Sequence, residues 1–207
     1  MIRPPGWDGV AFSEGGDGDI RNDPTARQVL IGRIGSPGRW ATVRQVHGAG
    51  VVRIDEPGEA GEADALWTTS RDLAVTVFTA DCFAVVVHAD SAVGVAHAGW
   101  RGTDAGVVGE LVGEMTAAGH APLRAAVGPG IGPCCFEVGE EVAGRFEAHR
   151  SETTWSTTSV DLPGAISSQI PAIDTWSIGA CTYHDPGWFS HRRDATKQRL
   201  AAIGWLP

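Results

Sequence analysis

Three apolar runs begin at ten-residue intervals: Leu73–Phe78, Phe83–His88 and Val93–Ala98. Each is short, rich in valine and closed by turn residues, the pattern of a strand that is buried rather than half-exposed. Three such strands in succession need apolar cover, so the chain must build a sheet with other elements packed on it.

The flanking sequence supplies that cover. Pro24 to about Ile34 reads as a helix, with Asp23 as N-cap and Pro24 in the first position. Thr103 to Ala118 places Val107, Val108, Leu111, Val112 and Met115 on one helical face. Val138–His149 and Leu162–Ile170 read as further helices. Trp40–Val46, Val51–Ile54, Leu123–Val127 and Ile173–Ile178 read as strands. Gly15–Asp23 reads as a loop and Pro57–Glu62 as an acidic, glycine-rich turn. The tail from His191 to Leu206 is basic at its start and is expected to be helical. The expected fold class is α+β, an α/β sandwich-like single domain over residues 1–207, with a mixed or mainly antiparallel sheet packed with helices.

Charge narrows the function. A net charge of -9 disfavours a nucleic-acid surface, which needs a basic footprint. A local arginine can still hold one small anion against that field. No apolar run approaches the length of a membrane helix. The N-terminal MIRPPGWDGV lacks the apolar core of a signal peptide, so a cytoplasmic location is expected. The four cysteines, Cys82, Cys134, Cys135 and Cys181, are then read as free thiols, with metal binding or catalysis ahead of disulfides.

Chemistry-capable residues gather where apolar strands meet turns. The segments are Arg44-Gln45-Val46-His47-Gly48, Thr79-Ala80-Asp81-Cys82-Phe83 and Val95-Ala96-His97-Ala98-Gly99-Trp100-Arg101-Gly102. Two histidines and a cysteine make a donor set for a catalytic zinc, with a fourth position left for water or substrate. The alternative is a buried Cys82 among satisfied core histidines. Arg101 offers a guanidinium fork suited to phosphate, or a structural ion pair. Gln45, two residues before His47, is a candidate substrate contact. Trp100 is a pocket-wall aromatic or a stacking surface for a base. GPGIGPCC could expose N–H groups as an anion nest, although its prolines remove donors; a tight crossing that shapes the site is the favoured reading.

In order along the chain, QVHG, DALWT, ADC, VAHAGWRG and GPGIGPCCFEVG resemble the YfiH/laccase-domain family, with a weaker match at CTYHDPGWFSHRR. That resemblance implies a monomer with zinc held by His47, Cys82 and His97. It also implies phosphorolysis of the purine nucleosides adenosine, inosine and methylthioadenosine, and deamination of adenosine. The expected partners are therefore small molecules, a nucleoside and phosphate. Some members have been described as copper-dependent phenol oxidases, and others are linked to editing of peptidoglycan precursors. Ala84 stands where the family has proline, Ala195-Thr196-Lys197 stands for its Thr-Gly-Arg, and an asparagine expected near 166 is absent. These departures point to an altered outer pocket around an intact metal set.

Deamination by zinc enzymes needs a carboxylate to move protons. Asp81 is nearest in sequence, but side chains alternate along a strand, so a turn-capping role is favoured for it. Copper is the alternative metal, since it binds such donor sets more tightly than zinc. A single copper cannot store the four electrons that dioxygen reduction requires. A purely structural zinc is disfavoured because such sites are normally closed by four protein ligands.

Overall fold

The computed structural model describes residues 1–207 and contains thirteen strands and six α-helices. Along the chain, β1 (Val10–Phe12) precedes α1 (Pro24–Ile34). Then come β2 (Arg39–Arg44), β3 (Val51–Arg53), β4 (Gly58–Glu62), β5 (Ala65–Thr68), β6 (Leu73–Thr79), β7 (Phe83–His88) and β8 (Val93–Ala98). After these come α2 (Trp100–Asp104), α3 (Val107–Ala117), β9 (Arg124–Val127) and α4 (Glu140–Ala143). The chain continues through β10 (Arg150–Glu152), β11 (Thr158–Val160), α5 (Leu162–Ser167), β12 (Asp174–Ser177), α6 (His191–Asp194) and β13 (Leu200–Trp205).

The strands form two mixed sheets, ordered β1-β13-β6-β2-β4 and β12-β9-β7-β8-β5-β3, plus the antiparallel hairpin β10-β11. The class is α+β, and the sheet expected from the sequence is split into two stacked layers. One apolar layer lies between the sheets and includes Val75, Val77, Val86, Val93 and Val95. A second lies between the six-stranded sheet and α3 and α5, where Trp67, Val85 and Val87 meet Leu111, Met115 and Ile166. A third joins α1 to the outer face of the five-stranded sheet through Leu30, Ile34, Phe78 and Ile203. Residues of either parity along β6, β7 and β8 are therefore buried, which is why these strands read as continuous apolar runs.

Several expected elements differ. Helix 103–118 is two helices: α2 ends at Asp104, and Gly106, at φ 83°, caps α3. The expected helix 138–149 shrinks to α4 and a 3-10 turn at Glu147–His149. Gly58–Glu62 is not a turn but an edge strand, paired in parallel with β2 alone. The largest difference is the tail, which turns helical only over α6. Its end, Leu200–Trp205, is a strand between β1 and β6. The two alanines lose well under about 1 kcal/mol each in strand propensity, whereas burying Leu200, Ile203 and Trp205 stabilises by about 1.5–3 kcal/mol per side chain. Tertiary burial wins. Position 204 of this strand takes glycine because a Cβ there would lie 2.7 Å from Val93 Cγ2.

Candidate metal centre and its cavity

Three connections bring the chemical groups to one end of the sandwich. His47 sits in the turn after β2, Cys82 in the turn joining β6 to β7, and His97 near the end of β8. One donor atom from each lies within 4.8 Å of the others, so these side chains could hold a metal ion. The imidazoles of His47 and His97 stand edge to face, with centroids 4.8 Å apart. His47 (φ 63°), a member of this group, and Asp81 (φ 87°), directly before Cys82, are left-handed, a costly conformation for residues with a side chain.

The turn around His47 is organised by Asp64, which is fully buried. Its carboxylate accepts N–H bonds from Val46 (3.2 Å), His47 (2.9 Å) and Gly48 (2.6 Å), and its Oδ1 lies 2.8 Å from His97 Nδ1. Burial pushes this carboxyl up, but the His97 bond and the Gly48 and His47 N–H groups outweigh it and hold it below the usual range. With Nδ1 engaged, His97 is left with Nε2 for an ion. Burial opposes charge on both His97 and Cys82. Even so, Asp64 and Cys82 raise His97 to about 9, while the two imidazoles bring Cys82 down to about 6. The group is thus arranged as thiolate beside carboxylate-backed imidazole, the state in which sulfur ligates metal.

The glycines of VAHAGWRG now have a reason. A Cβ at Gly99 would lie 2.9 Å from Cys82 Sγ and 3.3 Å from His47 Cδ2, and one at Gly102 would lie 2.9 Å from the Gly48 carbonyl. The donor set, the carboxylate behind it and the cleared backbone together fit a metal ion.

A cavity of about 380 Å³ opens over these residues, within the range of about 300–1,000 Å³ usual for small-molecule sites. All five sequence candidates line it: His47, Cys82, His97, Gln45 and Arg101. The Gln45 amide is committed, however. It donates to the Phe78 carbonyl at 2.8 Å and accepts the Phe78 N–H at 2.9 Å, clasping the end of β2 to β6. Arg101 makes no ion pair with a carboxylate, and its guanidinium lies 4.3 Å from the Trp100 ring centroid, covering that face of the indole.

Three further arginines that the sequence reading missed, Arg21, Arg192 and Arg199, line the same cavity, as does His191. None of these arginines is ion-paired to a carboxylate, although the chain carries nine more acidic than basic residues. Arg192 donates to the Glu137 carbonyl and Arg199 to the Thr196 and Gln198 carbonyls, bonds that orient the guanidinium but leave its charge uncompensated. Asp81 also lines the cavity, but both of its carboxylate oxygens are engaged in fastening the chain. Its side chain accepts from the Thr182 hydroxyl (2.7 Å) and the Arg192 N–H (2.6 Å), and its carbonyl accepts from Ile131 N–H. GPGIGPCC is a close crossing, where a Cβ at Gly130 would lie 2.6 Å from the Phe83 ring.

Residues 16–207 match the family model described as multi-copper polyphenol oxidoreductase laccase. The chain belongs to this YfiH/laccase-domain family. Among its laccase-domain relatives, a purine nucleoside phosphorylase of Streptomyces griseus is 38% identical, covering 97% of this chain and 91% of that protein. A purine nucleoside phosphorylase of Streptomyces coelicolor is 37% identical over 91% of this chain and 86% of its own length. Among solved structures, YlmD from Geobacillus stearothermophilus superposes with a TM-score of 0.79 at 30% identity, covering 88% of this chain and 79% of that one. YfiH from Bacillus licheniformis shares the fold, with a TM-score of 0.79 at 24% identity, covering 88% of this chain and 80% of the other. No helix of this laccase-domain chain is long and apolar enough to cross a membrane.

Proposed function

We propose that residues 1–207 act as one catalytic unit, a metal-dependent purine nucleoside phosphorylase that accepts adenosine, inosine and methylthioadenosine and also deaminates adenosine. The observation that carries this reading is the set of four arginines without carboxylate partners, Arg21, Arg101, Arg192 and Arg199, sharing a cavity with the His47–Cys82–His97 group. An acidic chain that keeps four guanidinium groups around one small cavity is built to receive an anion there. Relatives named purine nucleoside phosphorylase, at 33–38% identity, support reading that anion as phosphate and its co-substrate as a nucleoside.

In phosphorolysis a phosphate oxygen bonds to C1′ of the ribose as the C1′–N bond to the base breaks. The bonding pair leaves with the base, which takes up a proton. The arginines hold the phosphate and screen its charge as it approaches the ribose. The buried walls at Phe78 and Phe136 offer apolar surface to the base. His191, exposed on the cavity rim with Nδ1 turned to the Thr196 carbonyl, is placed to hand over a proton through its other nitrogen. His47, Cys82 and His97 would hold zinc, which supplies Lewis acidity when bound.

The family name points to a second reading, copper-dependent oxidation of phenols by the same His₂Cys set. That reading needs further redox centres to gather four electrons for dioxygen. The only other potential metal-binding group consists of three cysteines and no histidine, so it ranks below.

The test is chromatography of products from adenosine, with and without phosphate, on the unaltered chain and on Cys82→Ala, each with its metal content measured. Phosphate-dependent adenine and ribose-1-phosphate, lost in the variant, are the expected result. Metal-loaded protein that releases neither adenine nor inosine would overturn the proposal.

A further inference from the structure

The second cluster of soft donors lies outside the cavity. Cys134 and Cys135 follow β9 in the crossing loop, and Cys181 begins the turn after β12, so two distant segments deliver three thiols to one point. Their Sγ atoms all lie within 4.8 Å of one another, and Cys134 Sγ and Cys135 Sγ are 3.3 Å apart. Thiolate bonds to a first-row d¹⁰ ion are about 2.3 Å long, which sets the sulfurs of a trigonal site about 4.0 Å apart. The cluster therefore needs only small adjustments to close on one ion.

Its surroundings suit such an ion. All three cysteines are free, Cys135 is buried in the core, and Cys134 and Cys181 are partly exposed, which leaves a path for entry. The Gly132 N–H donates to Cys181 Sγ at 3.2 Å, a contact that favours the thiolate. The loop is fastened independently of any ion: Ser159 Oγ donates to the Pro133 carbonyl at 2.7 Å and Thr154 N–H to the Cys134 carbonyl at 2.9 Å. The frame is thus built before loading. No imidazole or carboxylate belongs to the group. An all-thiolate, three-donor set selects a soft cation of low coordination number rather than zinc, which asks for a fourth ligand.

We propose that Cys134, Cys135 and Cys181 form a second metal site that binds one cuprous ion through three thiolates. The copper stays in the +1 state throughout, and the thiol protons pass to solvent as the three Cu–S bonds form. Loading ties the 181–185 turn to the 131–136 loop. Thr182, next to Cys181, is bonded to the side chain of Asp81, next to Cys82, so the new site adjoins the turn that carries a ligand of the first.

The test uses the full-length chain with Cys82→Ser, which disables the first centre. Cuprous ion is delivered anaerobically from its bicinchoninate complex, and the copper environment is read by X-ray absorption. One equivalent bound in a sulfur-only shell of three neighbours is expected. Adding Cys181→Ser should lower the affinity at least a hundredfold, with unchanged circular dichroism. If Cys181→Ser does not fold, the partly exposed Cys134→Ser carries the same comparison. A folded Cys82→Ser protein that takes up no cuprous ion overturns the proposal. So does a shell containing nitrogen, or an affinity indifferent to the cysteine substitutions.

Discussion

Asp64 Oδ1 lies 2.8 Å from His97 Nδ1, and that contact decides which imidazole nitrogen is left for the cavity. The same carboxylate accepts the backbone N–H groups of His47 and Gly48. One buried acid therefore orients two of the three proposed metal ligands. Asp64→Asn keeps the volume but loses the charge, and it should weaken zinc affinity by about 10–100-fold, the usual effect of removing such a partner. Competition against a zinc chelator measures this. An affinity equal to that of the unaltered chain would remove Asp64 from the account.

Cys82 is brought down to about 6 from 9.0 by the flanking imidazoles, against the opposing effect of burial. In metal-free protein at pH 7 it is therefore mostly thiolate, and the thiolate fraction falls as pH drops through about 6. Iodoacetamide should modify Cys82 rapidly at pH 7, with a half-maximal rate near pH 6, and zinc should protect it. Cys135, pushed up to about 12 by burial and its neighbouring thiols, should stay unmodified. Peptide mapping by mass spectrometry separates the two. A Cys82 rate that climbs only above pH 8 contradicts the assigned state.

Arg101 has no acidic partner and covers Trp100 from above. If it holds phosphate, Arg101→Ala should raise the phosphate KM by about 10–100-fold, matching the roughly 1.5–3 kcal/mol of a hydrogen bond to a charged group. The nucleoside KM should change much less. Equal losses in both would make the residue a general support of the pocket.

His88 lies far from this chemistry, buried on β7 with Nε2 3.0 Å from the Gly9 carbonyl. Burial pushes it down to about 4; the Gly9 carbonyl opposes this and the Arg124 cation adds to it. The unfolded chain takes up this proton near pH 6.5 and the folded chain only near pH 4. The contribution is therefore intact above about 6.5 and is lost progressively between there and about 4, to a total of about 3 kcal/mol. Urea unfolding at pH 7 and pH 4.5 should show a smaller acid loss in His88→Gln than in the unaltered chain. Equal losses would place the acid sensitivity elsewhere.

Legibility followed the reach of each signal. Helix α1 could be read because its marks are local. Asp23 accepts from the Thr25 and Ala26 N–H groups as an N-cap should, and Gly35 closes the helix with φ 65°. Strands β6, β7 and β8 were visible because burial on both faces leaves an unbroken apolar run. Strand β13 is buried just as fully, but its alanines imitate a helix, and only its neighbours in space decide the matter. Strand β4 escaped notice because an exposed edge strand with one partner carries no apolar pattern. The five proposed site residues lay beside strand ends and proved to share a cavity. Arg21, Arg192 and Arg199 come from segments with no spacing to link them. Asp64 left one local sign, an acid placed directly before a buried strand.

The position of β13 sets an order of events. The five-stranded sheet runs β1-β13-β6, so the thirteenth strand of the chain is the bridge between the first and the sixth. Until residues 200–205 have left the ribosome, the facing edges of β1 and β6 have no partner. The nascent chain therefore carries the open edge of β1 from residue 12 and that of β6 from residue 79 until its last strand emerges, and such unpaired edges are the usual sites of wrong pairing during folding.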